Sequence, residues 1–102
     1  MHNTDLKEII LKLPGDIVTT ISSKEIILML SDKALSKAEY YGTRCKEFEG
    51  KYGMAFDAFK LRVEESGEEI LSEWDDLILW EGYEIAHKDW KNKHEELKDC
   101  IR

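Results

Sequence analysis

The stretch WEGYEIAHKDWKNKHEELKDCI, residues 80–101, decides the fold. Trp80, Tyr83, His87, Trp90, His94, Leu97 and Ile101 recur at intervals of 3-4-3-4-3-4. That alternation is a helical seam, and nearly everything between its members is charged or polar. Upstream, Ile70, Trp74 and Leu77 make a stripe slightly out of phase with it, with Ile78 beside them. Gly82 stands near the phase change and suits a bend or a close helix crossing. The spacing predicts one long helix over residues 68–101, opened by Glu68 and Glu69 and closed by Lys91, Lys93 and Lys98, as a helix dipole favours.

A second seam answers the first. Ala34, Ala38, Tyr41, Cys45, Phe48 and Tyr52 are spaced 4-3-4-3-4, small at the start and aromatic at the end. Ser22-Ser23-Lys24-Glu25 reads as a capping box before it, and Gly53 suits the left-handed residue after it. A helix over residues 23–52 follows. Between the two long helices, Phe56, Phe59 and Val63 mark a short amphipathic helix over residues 55–66, ended by Ser66-Gly67. The long helices would run roughly 40 and 50 Å at about 1.5 Å per residue. Folding them as an antiparallel hairpin lets the two seams bury each other. The fold class is therefore all-α, a bundle-like hairpin with short additional helices in one domain over residues 1–102. Such a hairpin keeps one face uncovered, which points to a second copy or another protein.

The N-terminal segment, residues 1–22, is less regular. Asn3 or Thr4 can cap a short helix over Asp5–Leu13, with Leu6, Ile9, Ile10 and Leu13 on one face and Pro14-Gly15 ending it. Asp16–Ile21 (DIVTTI) is the one β-favouring run. It reads first as a linker or an extra helical turn. Pairing with its own copy as a dimerisation strand is the alternative.

Composition narrows the function. The net charge is −7, which argues against nucleic acid as a partner. No apolar run reaches the roughly 20 residues that span a bilayer, and no signal pattern opens the chain, so a cytoplasmic location is expected. Cys45 and Cys100 have no metal-ligand spacing and read as ordinary thiols. The acidity is local. Between Val63 and His87 there are nine acids and no Lys or Arg. Large aromatics are interleaved with them. One reading is a solvated face over a buried aromatic seam. The other is a set of aromatic anchors rimmed by acids that steer a basic partner, carried by Glu69, Glu73, Trp74, Asp76, Trp80, Glu81 and Tyr83.

Catalytic and metal patterns are weak. Glu84-x-x-His87 has the spacing of di-metal bundles, and Glu39 or Glu47 could add a third ligand type, but a packed histidine on the seam is the ordinary explanation. His87 and His94 lie about 10.5 Å apart along a helix axis, too far to share one ion. Asp75 and Asp76 are adjacent and diverge by about 100°. No nucleophile stands beside a base, and no glycine-rich phosphate loop occurs. The expectation is no enzyme and no cofactor.

From Phe48 to Phe59 the chain reads FEGKYGMAFDAF, a KYGM-x-F-x-x-F break followed by an acidic helix with Trp74-Asp75-Asp76 and Trp80-Glu81. In this, over about residues 34–90, it resembles a group of short archaeal and bacterial proteins regarded as type II antitoxins. The resemblance implies an acidic helical protein that wraps and neutralises a basic toxin, such as a ribonuclease. It departs from many antitoxins in lacking a basic DNA-binding module. A homodimeric helical scaffold, and more remotely a metal-binding four-helix dimer, are the alternatives.

Overall fold

The computed structural model describes residues 6–67 and 70–100. Four helices follow in order: α1 (Gly15–Thr20), α2 (Ser23–Tyr52), α3 (Phe56–Glu65) and α4 (Leu71–Asp99). No strand occurs among the described residues. α2 and α4 pack along each other as an antiparallel hairpin, and α3 lies over both beside the bend.

The ends of α2 are set by the residues that the pattern singled out. Ser22 is extended, and its hydroxyl accepts the Glu25 backbone N–H at 3.1 Å. Glu25 completes the box through the Ser22 hydroxyl, 3.5 Å from its carboxylate, rather than through the Ser22 backbone. Gly53 closes the helix at φ 65°, where its N–H reaches the Glu49 carbonyl. At the other turn Gly67 takes φ 69°, and α4 begins after an extended Ile70. Glu68 and Glu69, the expected start of that helix, lie outside the described residues.

The N-terminal segment departs from expectation in one place. Residues 6–14 form no helix, although a helix over Asp5–Leu13 is what their pattern predicts. Nine residues are too few to hold a helix without packing, and Leu6, Ile9 and Ile10 are almost fully exposed. The β-favouring run forms a short helix, in line with its first reading as an extra helical turn and not with a strand. The Pro14 carbonyl accepts the N–H groups of Ile17 and Val18, and the hydroxyls of Thr19 and Thr20 donate back to the Asp16 carbonyl. Those local bonds satisfy the turn that a strand would have left open. α1 makes no close backbone contact with the other helices.

Burial divides the hairpin unevenly. Near the bend, Cys45, Phe59, Val63, Leu77 and Trp80 form one cluster, with Phe48, Tyr52, Met54, Phe56, Trp74 and Tyr83 packed round it. At the far end, among the described residues, only Ser31, Ala34 and Ala38 are buried. The molecule is consequently long, 62 × 28 × 20 Å, with a radius of gyration of 19.3 Å. A compact chain of this length would have about 13 Å.

Candidate functional site

The sequence pattern assigns the acidic part of α4 to partner binding, and the geometry divides those residues into three groups. Trp80 is wholly buried. Phe48 stacks on it at 5.4 Å, Phe56 and Phe59 close over it, and its indole N–H donates to Glu84 at 3.2 Å. Trp80 is the centre of the core. Tyr83 and Trp74 are half-buried: Tyr83 lies 6.0 Å from Tyr41 and 6.2 Å from Phe48, and Trp74 borders the same cluster.

The acids form the second group. Glu73 meets Arg62 at 3.2 Å, Asp76 meets Lys51 at 2.7 Å, and Glu81 meets Lys60 at 3.0 Å. Asp76 also accepts the Tyr52 hydroxyl. Lys51 and then Tyr52 hold the Asp76 carboxyl below the usual carboxylate range. Burial, then the Asp76 contact, pushes the Tyr52 hydroxyl up, and Glu81 raises Lys60. Three acids of the base-free segment are thus paired from outside it. Their counter-charges stand just upstream, Lys51 in the last turn of α2 and Lys60 and Arg62 on α3, which packs back onto α4. Nothing in one-dimensional spacing announces that return. Glu69 lies outside the described residues.

The third group is not among the residues that the sequence pattern assigns to binding. Leu71, Ile78 and Ile85 are seven residues apart and 75%, 69% and 58% exposed. They make an apolar line along α4, away from α2 and α3. Gly82 sits within it. A Cβ there would meet nothing within 4 Å, so the folded chain itself gives no packing reason for glycine. Asp75, exposed and in no ion pair among the described residues, flanks the line, and half-exposed Glu81 lies on its other side. The signal was readable as a heptad repeat, but the stronger aromatic seam on the same helix masked it.

Elsewhere, Glu39, Gly42, Cys45, Glu49, Glu84 and His87 line a polar recess of about 600 Å³. The His87 Nδ1–H donates to the Ala38 carbonyl at 2.7 Å, because a carbonyl can only accept. Glu84, His87 and Glu39 do come together there, whereas Glu47 turns away and pairs with Arg44. Among the described residues, no three His, Cys, Asp or Glu side chains are placed to hold a metal ion. Burial, then the nearby Glu84, pushes the Cys45 thiol up to about 12. A thiol held protonated in this way is a poor nucleophile.

Among the described residues no helix is long and apolar enough to cross a membrane. The chain matches no protein-family model, no curated protein and no solved structure.

Proposed function

We propose that this chain is a non-enzymatic, antitoxin-like binding module of the cytoplasm that takes a basic amphipathic partner on the outer face of α4. The observation that carries the reading is the exposed Leu71–Ile78–Ile85 line. Three large aliphatic side chains at heptad spacing on a solvent-facing surface are what a partner helix would cover. Gly82 beside them permits a close crossing. Asp75 and Glu81 flank the line, and the net charge of −7 favours a basic partner over an acidic one. The resemblance to antitoxins supports the same partner class. The aromatic anchors expected from sequence give way to aliphatic ones in this reading, because Trp80 is spent on the core.

The test is co-expression with the protein encoded beside it, followed by co-purification. The double variant Ile78→Glu with Ile85→Glu should lose a partner that the wild type retains, with helicity unchanged, since both side chains are exposed. Failure of the wild type to retain that neighbour, or equal retention by the variant, sinks the reading.

A further inference from the structure

The two ends of the hairpin are built differently. At the bend α3 supplies a third layer, and Trp80 and Phe59 are wholly buried beneath it. At the far end α2 and α4 stand alone. Among the described residues their seam buries no large side chain there, only Ser31, Ala34 and Ala38. Trp90, His94 and Leu97 lie half-covered on one side. An apolar groove of about 420 Å³ runs past Leu30, Ala34, Trp90 and Leu97. A second apolar groove of about 290 Å³, between α1 and the start of α2, shares Leu30 and Lys33 with it.

The chain exposes 8180 Å². A compact monomer of its mass would expose about 6,000 Å², so the surplus is near 2,200 Å². A standard interface buries only about 800 Å² per partner. That surplus is spread over the whole chain, residues 6–21 and the outer face of α4 included, and exceeds what one such interface buries.

Charge selects the occupant. Residues 22–40 and 86–100 together hold seven bases and seven acids. The far end is neutral although the chain as a whole carries −7. A basic partner gains nothing there. Two copies approaching by these ends meet no net repulsion, and their acidic ends point away from each other.

We propose that the far end of the hairpin is a self-association surface, on which a second copy of this chain completes a four-helix bundle around Leu30, Ala34, Trp90 and Leu97. The contact is isologous, with the same patch on both copies, so it closes at two. The bend ends stay at the outside of the dimer with the outer face of α4 uncovered. The inference stands independently of the partner proposed above.

Sedimentation equilibrium of the full chain at micromolar concentration tests it. The wild type should be a dimer, and Leu30→Glu, at a residue half-exposed in the single chain, should be a monomer with its helical circular dichroism intact. Ile78→Glu should remain a dimer. A nitroxide on exposed Cys100 of the otherwise native chain gives a readout that does not depend on a variant folding, since Cys45 is buried. Overlapping half-helices of some 15 residues rise about 22 Å, so labels on the two copies should lie within about 40 Å of each other. A monomeric wild type overturns the proposal, as does a dimer that survives Leu30→Glu or one that gives no short label distance. Closure of the groove by the chain's own residues 6–21 would appear as the monomer.

Discussion

A Cβ built on Gly42 would stand 2.9 Å from Cε1 and 3.1 Å from Nδ1 of His87. The hydrogen on Gly42 is what lets the imidazole lie against α2, where it reaches the Ala38 carbonyl. The two residues make a point of close contact between the long helices. Gly82, the glycine that the pattern marked for a close crossing, has open space round it instead. Opposite effects of one substitution follow. Gly82→Ala should stabilise the fold by up to about 1 kcal/mol, the usual gain of alanine over glycine inside a helix. Gly42→Ala must displace the ring and break its hydrogen bond. It should therefore be destabilising by about 1–3 kcal/mol despite the same helical gain. Urea unfolding of both variants measures the contrast, and similar shifts for the two would refute it.

Trp80 gives a second prediction. Its ring is wholly enclosed by Phe48, Tyr52, Phe56 and Phe59. Trp80→Ala should cost about 3–5 kcal/mol, most of the stability a chain this small commands. Trp74 and Trp90 are half-buried, and their replacement should cost visibly less. Near-ultraviolet circular dichroism with thermal melting ranks the three. If Trp80→Ala melts like the wild type, the aromatic cluster is not the core.

What was legible in the sequence, and what was not, follows from range. The capping box at Ser22, the left-handed stop at Gly53 and the seam from Ala34 to Tyr52 are local or periodic, and all are found where the pattern places them. The failures lie where a segment's conformation or charge depends on what packs against it. Leu6–Leu13 has a helical pattern but nothing to lie on. The acids of α4 look unpaired until Lys51, Lys60 and Arg62 return across the bend. Ile78 and its heptad partners were hidden because an apolar residue on a helix reads as core by default, and only the position of α2 and α3 says which side is inside.

The Asp76 cluster predicts a pH dependence. Lys51 and Tyr52 hold the folded Asp76 carboxyl below its ordinary value. A carboxyl depressed in the folded state binds fewer protons there than in the unfolded chain. Its contribution is complete above the ordinary carboxylate range, about pH 4, and fades as pH falls through the depressed value. Stability should thus decline on acidification with a slope that Asp76→Asn reduces. At the alkaline end the signs reverse. Tyr52 and Lys51 are both raised, so their contribution holds below about pH 10 and is lost as pH climbs beyond it. Tyr52→Phe should flatten the tyrosine part of that alkaline loss. Denaturant midpoints measured across pH 3 to 11 test both limbs. Parallel profiles for wild type and variants would show that the cluster does not couple folding to protons.

The two thiols should differ sharply in reactivity. Cys45 sits in the core cluster, and burial with the adjacent Glu84 pushes its thiol up to about 12. Thiolate is the reacting species, so at pH 8 almost none is present and what forms is shielded. Cys100 is exposed near the end of α4, where its thiol rests against the Glu96 carbonyl. A colorimetric disulfide reagent should titrate one thiol rapidly in the native protein and the second only when denaturant unfolds the hairpin. The slow thiol then becomes a clock for opening of the bend core. Gly42→Ala, which loosens the contact between α2 and α4 next to Cys45, should speed that clock, while Gly82→Ala should leave it unchanged or slow it. Rapid modification of both thiols in the native wild type would place Cys45 outside the core and remove the basis of the cluster built around Trp80.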